Sequence, residues 1–249
     1  MKSWQDIGFE IEITRDESPT LRLLESVDPT KPNGESMHHS GGANTETNMI
    51  YGEPAAMILG KVKDPHFMIV GLGLGYIEMN IAREALRLGK TVGLITSFEA
   101  LPDLRQFFYL WLHDRFEEIH PEVVATYNAV LKCVLMKSEV SAVQVKDFLR
   151  GHFKSLEDID GALDQNVVFK TRYHAIMYDA FSAKTSPHLW EEEFLTQLLR
   201  VGASEPSLLT TYSCRSSLKR ALKNQGFELP AREGFMGKPL SILALKSFR

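Results

Sequence analysis

The chain opens with a strict alternation of apolar and polar positions. Phe9, Ile11 and Ile13 alternate with Glu10, Glu12 and Thr14, which is the period of a half-buried strand. Arg15 to Pro19 is polar and turn-rich, and Leu21 and Leu23 resume the alternation. An antiparallel hairpin is predicted there. Val27 to Gly42 is rich in Pro, Gly, Ser and His and reads as a long loop. Thr45 to Leu59 then enters the main domain as a helix or a short strand.

From Phe67 the pattern becomes regular. Phe67-Met68-Ile69-Val70 is a short apolar run, as expected of a strand buried on both faces. Gly71-Leu72-Gly73-Leu74-Gly75 follows, and then Ile77, Ala82, Ala85 and Leu86 mark a helical face. Val92 to Ile95 reads as a second strand, closed by Ser97-Phe98-Glu99. Leu104 to Phe116 and Val123 to Met136 read as helices, and the Phe107 to Trp111 cluster as core. Val143 to Leu149 reads as a third strand with an ambiguous pattern. Tyr173 to Tyr178 is a clear later strand with Asp179 at its end. Leu189 to Leu199 and Ser216 to Lys223 read as helices, and Leu208 to Tyr212 and Ser241 to Leu245 as strands. Alternating strands and helices predict an α/β fold with a mostly parallel twisted sheet and helices on both faces. The expected division is an N-terminal hairpin and loop extension over residues 1–60 and a Rossmann-like domain over 61–249.

Composition changes this picture little. With 249 residues, 44% hydrophobic and 24% charged, the chain is of ordinary globular type. No apolar run approaches membrane-spanning length, and no membrane partner is expected. The start, Met1 to Asp6, lacks the apolar core of a signal peptide. Cys133 and Cys214 share no metal-ligand spacing and read as packed thiols of a reducing compartment, so a cytoplasmic protein is expected. The formal net charge is −4, yet Thr211 to Arg249 holds eight Lys and Arg residues against two Glu. That asymmetry suggests a polar partner on the C-terminal side, or an ordinary solvated helix face.

The candidate chemistry begins at the glycine turn. A strand, Gly71-x-Gly73-x-Gly75 and a helix start present backbone N–H groups to a ligand without an intervening Cβ. Glu99, at the end of the next strand, is placed to accept hydrogen bonds from both ribose hydroxyls of an adenosine. A dinucleotide fingerprint wants glycine at the sixth position, where this chain has Tyr76. S-adenosylmethionine (SAM) has no pyrophosphate, so the pattern fits SAM better than NAD or FAD. Asp179 sits at a strand end, where α/β sheets line their ligand crevice. It is placed to bind an amine nucleophile or accept its proton, or simply to cap the following turn. Phe181 offers an aromatic wall beside a cation. His38 and His39 have no ligand-type partner at metal spacing, so no metal is expected; His39 and Ser40 are read as loop contacts to substrate.

Several segments together resemble the methyltransferase domain of the MnmC family, bacterial enzymes that complete 5-methylaminomethyl-2-thiouridine at the tRNA wobble position. Gly41 to Thr47 with Tyr51-Gly52 is similar to the family's segment before the first Rossmann strand. Ile69 to Tyr76 resembles its SAM loop, and Asp179-Ala180-Phe181-Ser182 through Pro187-His188-Leu189-Trp190 its Asp-Ala/Gly-Phe…Asn-Pro-x-x-Trp stretch. Thr210 to Ser213, Gly226-Phe227 and Gly234-Phe235 resemble its C-terminal strand–helix–strand.

The resemblance implies a class I SAM-dependent methyltransferase fold with an N-terminal hairpin extension. It implies N-methylation of 5-aminomethyl-(2-thio)uridine at the wobble position of tRNA. Gly71, Gly73, Gly75 and Tyr76 would line the cofactor, Glu99 would hold its ribose, and Glu46 would meet its amino-acid end. Asp179 would face the acceptor amine. The family's Gly-Asp after the third strand aligns with Gly151-His152, which would put His152 at the adenine. The family's FAD-dependent oxidase half has no counterpart here, leaving a separate oxidase as the source of the aminomethyl substrate. The family's basic stretch near the end is reduced to Gly234 to Pro239 with a single Lys238. The runner-up reading keeps the cofactor but takes a small amine as acceptor, by methyl or aminopropyl transfer.

Overall fold

The computed structural model describes residues 1–24, 34–169, 171–232, 235 and 241–248. The hairpin is formed by β1 (Phe9–Ile13) and β2 (Pro19–Leu23), paired antiparallel with Phe9 opposite Leu23. It is not a detached arm. Trp4, Phe9 and Leu21 are buried in the same core cluster as the first Rossmann strand, and the Trp4 indole donates to Thr126 Oγ1 at 3.0 Å. Thr45 to Leu59 is helical: α1 (Ala43–Thr47) passes through a π-helical turn at Asn48–Gly52 into α2 (Glu53–Lys61).

The remaining strands are β3 (His66–Val70), β4 (Leu94–Phe98), β5 (Ile159–Asp160), β6 (Tyr173–Tyr178), β7 (Ala203–Thr211) and β8 (Ile242–Lys246). They form one sheet in the order β5-β4-β3-β6-β7-β8. All neighbours are parallel except β7 and β8, which run antiparallel. The order reverses between β3 and β6, which makes that junction the topological switch point where such sheets open a crevice.

Successive side chains of a strand face opposite ways, and β3 shows the consequence. Phe67 and Ile69 join a core with helices from one face of the sheet: α2, α3 (Tyr76–Leu88), α4 (Pro102–Leu112), α5 (Pro121–Val134) and α6 (Ala142–His152). Met68 and Val70 join a second core with α7 (Glu192–Gly202) and α8 (Ser216–Asn224) on the other face. Both faces are therefore covered, which is why β3 reads as an unbroken apolar run. Phe107, Phe108 and Trp111 of α4 are buried in the first core.

One element differs from the sequence expectation. Val143 to Leu149 is not a strand but lies within α6. Ser141 starts that helix with a reciprocal capping box to Gln144. Val145 and Leu149, four residues apart, are its buried face. The edge strand is instead β5, only two residues long. Among the described residues no helix is long and apolar enough to cross a membrane.

Candidate active site

A cavity of about 300 Å³ opens at the C-terminal ends of β3, β4, β6 and β7. Its floor is the glycine turn and its sides carry Glu99, Asp179 and Tyr212. The N-terminal extension closes it with Glu35 to His39 and Glu46. Four carboxylates thus line it, Glu35, Glu46, Glu99 and Asp179, and among the described lining residues there is no Lys or Arg.

The glycines have separate jobs. Gly71 has φ +97°, and a Cβ there would lie 2.5 Å from the carbonyl oxygen of Asp179. Only glycine lets the turn after β3 pass the end of β6 so closely. Gly73 has φ +50°, and its Cβ would meet only the Met37 sulfur, at 3.3 Å. Gly75 does not line the cavity; its Cβ would strike the Phe108 ring at 2.4 Å, so its smallness serves packing of the turn on α4. Tyr76 begins α3 and its hydroxyl donates to the Pro19 carbonyl at 2.8 Å, tying the turn to the hairpin.

Glu99 is buried, and its two carboxylate oxygens accept from Gly73 N–H at 3.1 Å and Leu101 N–H at 2.9 Å. Burial nevertheless raises its pKa above the ordinary glutamate range. On the opposite side, Asp179 accepts from the Tyr51 hydroxyl at Oδ1, 2.5 Å away. Tyr51 is brought there by the π-helical turn and is fully desolvated, which with the Asp179 charge raises its pKa well above that of a free phenol. It is therefore a fixed donor at any working pH. The residues after Asp179 are held from two directions: Tyr212 Oη donates to the Ala180 carbonyl at 2.8 Å, and the Trp190 indole to the Phe181 carbonyl at 2.7 Å.

Glu46 accepts from His39 N–H at 2.7 Å, which folds the 39–46 loop against the cavity wall. His38 shares a hydrogen bond with Thr20 Oγ1 at 2.8 Å, and His39 packs edge-on against Phe235. The two histidines thus engage different neighbours. No three or more His, Cys, Asp or Glu side chains among the described residues are grouped so that they could hold a metal ion.

The cavity gathers Gly71, Gly73, Tyr76, Glu99, Glu46, Asp179, Phe181 and His39. Ser40 does not line it; its carbonyl accepts from Arg15 N–H. His152 is a correction. It ends α6 rather than a strand, packs tilted against Phe148 with ring centres 5.1 Å apart, and does not line the cavity. Ala162 and Leu163, just beyond β5, line it instead. Sequence reasoning gave no role to Glu35, Tyr51 or Tyr212. The Tyr51-Gly52 pair was visible as a motif, but no local pattern links it to Asp179. The Gly234 to Pro239 stretch, apart from Phe235, lies outside the described residues, as do Lys238 and Arg249.

The donor set suits SAM. A carboxylate at the end of the second Rossmann strand can take a ribose diol, the turn at Gly73 is open to the cavity, and Tyr76 stands where a pyrophosphate cradle would need glycine. Comparison with known proteins agrees. The model of a family described as S-adenosyl-L-methionine-dependent methyltransferase matches residues 109–247. The chain is similar to the crystal structure of MNMC2 from Aquifex aeolicus at 20% identity and TM-score 0.61, over 96% of this chain and 70% of that one. It is less similar to a TehB-like SAM-dependent methyltransferase from Corynebacterium glutamicum, at 13% identity and TM-score 0.39, over 79% and 88% of the two chains. Magnesium protoporphyrin IX methyltransferase from Synechocystis, solved with bound SAM, matches at 9% identity and TM-score 0.37, over 82% and 83%. The chain belongs to the family of S-adenosyl-L-methionine-dependent methyltransferases.

Proposed function

We propose that this methyltransferase N-methylates the aminomethyl group of 5-aminomethyl-(2-thio)uridine at the wobble position of tRNA, giving the 5-methylaminomethyl product. The observation that carries the reading is the Tyr51–Asp179 pair, set in an acid-lined cavity across from Glu99. An amine is protonated near neutral pH and cannot attack until it loses that proton. Asp179 is the base placed to bind the ammonium and take it. Tyr51 fixes one carboxylate oxygen, and Phe181 offers a wall that tolerates the cation.

On the cofactor side, Glu99 holds the ribose hydroxyls, while Gly71, Gly73 and Tyr76 line the rest. Gly75 supports the turn from behind. Glu46 faces the amino-acid end of the cofactor, and His39 contributes to the wall above it. When bound, SAM supplies a methyl group on a positively charged sulfur, and the carboxylate-lined cavity is electrostatically suited to that charge.

The tRNA acceptor rests on the resemblance to MnmC methyltransferase domains and on charge. Arg215, the N-cap of α8, and Arg220 and Lys223 within that helix are exposed. Arg215 lies close enough to the cavity residue Tyr212 to act on its electrostatics. An acidic interior beside a basic helix suits an amine attached to a polyanion. The reaction belongs in the cytoplasm. One observation favours the second reading, a small amine as acceptor: the folded chain brings Glu35 and Glu46 to the cavity beside Asp179. Label transfer separates the two. With methyl-labelled SAM, label should reach tRNA carrying aminomethyl-uridine and not a free diamine; label on the diamine alone overturns the tRNA reading.

A further inference from the structure

The cavity wall contributed by the N-terminal extension contains a carboxylate whose partners all lie beyond β6. Gly34 to Met37 runs alongside β2: Leu23 N–H donates to the Glu35 carbonyl at 3.0 Å, and Met37 N–H to the Leu21 carbonyl at 2.8 Å. Ser36 Oγ donates to Glu12 Oε2 at 2.6 Å, fixing the segment to β1 as well. The backbone around Glu35 is thus an extra edge of the hairpin, which is itself packed on the main core through Trp4, Phe9 and Leu21.

From that anchored position Glu35 reaches across the cavity rim. Its Oε1 accepts from Ser182 N–H at 3.1 Å. Its Oε2 accepts from Ser182 Oγ at 3.1 Å and from the Thr185 hydroxyl. Three donors meet one carboxylate, an arrangement that an acceptor-only group satisfies best. Ser182 is itself the pivot of a turn, its carbonyl accepting from Thr185 N–H at 2.9 Å and Ser186 N–H at 2.8 Å. Tyr212 and Trp190 already hold Ala180 and Phe181 from the C-terminal side. Glu35 is the hold from the N-terminal side.

We propose that Glu35 is a positioning residue of the acceptor site: by clamping the Ser182–Thr185 turn from the hairpin, it fixes the segment that presents Asp179 and Phe181 to the substrate. This makes the N-terminal extension part of the acceptor site, although it lies outside the family-matched residues 109–247. The inference rests on the proposed acceptor only for its kinetic readout. Glu35→Ala deletes all three acceptor contacts. Glu35→Gln keeps a carbonyl oxygen for Ser182 N–H, and the two hydroxyls can rotate to suit the amide.

Two measurements on the full chain test it. In hydrogen exchange followed by mass spectrometry, peptides covering 180–186 should exchange about tenfold faster in Glu35→Ala, while Glu35→Gln stays within about threefold of the parent. In steady-state transfer to tRNA carrying aminomethyl-uridine, Glu35→Ala should raise the acceptor KM about tenfold. Its Kd for SAM, read by calorimetry, should stay within about twofold. An unchanged acceptor KM in a protein that does methylate this tRNA overturns the proposal, as does a SAM Kd that weakens as much as the KM. If the parent protein does not methylate the tRNA, the acceptor reading fails by itself. The exchange result then decides: faster exchange confined to 180–186 upholds the clamp, and unchanged exchange overturns it.

Discussion

The Tyr51 hydroxyl donates to Asp179 Oδ1 at 2.5 Å, joining a turn that precedes the first Rossmann strand to the end of β6. Tyr51 is 2% exposed, so the bond forms out of water, where a charge-assisted hydrogen bond is strong. Tyr51→Phe keeps the ring and removes only this donor. It should lower kcat roughly 10- to 100-fold while SAM affinity stays within about twofold. Asp179→Ala should abolish turnover with SAM binding again spared. Single-turnover kinetics beside calorimetry would show the split; a Tyr51→Phe enzyme with parental kcat would remove the pair from the mechanism.

Glu99 gives a pH prediction. Its pKa is raised from the ordinary 4.5, burial being the largest cause and the two backbone donors opposing it. The ionised form is the better acceptor for ribose hydroxyls. SAM affinity should therefore be intact at neutral pH and fall as pH drops through the raised pKa, beginning above pH 4.5. Glu99→Gln should bind SAM more weakly at pH 7.5, by about tenfold, and lose this acid dependence. Calorimetric titrations from pH 5 to pH 8 check it, and an acid limb that persists in the variant would assign the effect to another group.

Glu78 gives a stability prediction. It is fully buried on α3, Ser97 Oγ donates to its Oε1 at 2.6 Å, and its other oxygen has no hydrogen-bond partner among the described residues. Desolvation, with the Asp179 and Glu99 charges adding to it, pushes its pKa up to about 8. Because the folded value lies above the unfolded one, folding favours the protonated acid. Stability from this group is fully present below pH 4.5 and is lost as pH rises toward 8, by about 3 kcal/mol at pH 7 as an upper bound. Glu78→Gln mimics the neutral acid. It should unfold at higher urea than the parent at pH 8 and show a flatter pH dependence; the same slope in both proteins would contradict the assignment.

The glycine turn separates packing from binding. Gly75→Ala drives a methyl into Phe108 at a position with φ +71° and should cost about 2–4 kcal/mol of stability. Gly73→Ala meets only a flexible methionine end, so its stability cost should be nearer 1 kcal/mol, with the main loss in SAM affinity. Urea unfolding and calorimetry on both variants would show whether the two losses fall on different readouts.

Much of this was legible in the chain, and the reason is physical. Strands buried on both faces, such as Phe67–Val70 and Tyr173–Tyr178, announce themselves as apolar runs, and Asp179 and Glu99 sit at their expected ends. Val143 to Leu149 misleads because its valines have strand character. The helix signal was local and present, in Ser141 with Gln144 and in the Val145–Leu149 spacing. That misreading displaced His152, since a residue expected at a strand end stands at a helix end. A two-residue strand such as β5 has no period to detect, so Ala162 and Leu163 were hidden with it. Glu35 and Tyr51 act on residues 147 and 128 positions away, and only the folded chain brings such partners together.

The basic residues of α8 bear on the acceptor. If they meet tRNA phosphates, replacing Arg215, Lys219 and Lys223 with alanine should weaken tRNA binding. The slope of log K against log salt should flatten by roughly 2 to 3. Fluorescence titrations at several salt concentrations give that slope, and one identical to the parent's would place the nucleic acid on another face.

The central claim is that the methyl group of SAM ends on the aminomethyl nitrogen of a wobble uridine. Its most direct test is to incubate the protein with SAM and tRNA carrying 5-aminomethyl-2-thiouridine, digest the tRNA to nucleosides and analyse them by mass spectrometry. The account predicts conversion of that nucleoside to one heavier by a single methyl group on its side-chain nitrogen, with Asp179→Ala giving none. An unchanged nucleoside, or a methyl group carried on the base or ribose instead, would contradict it.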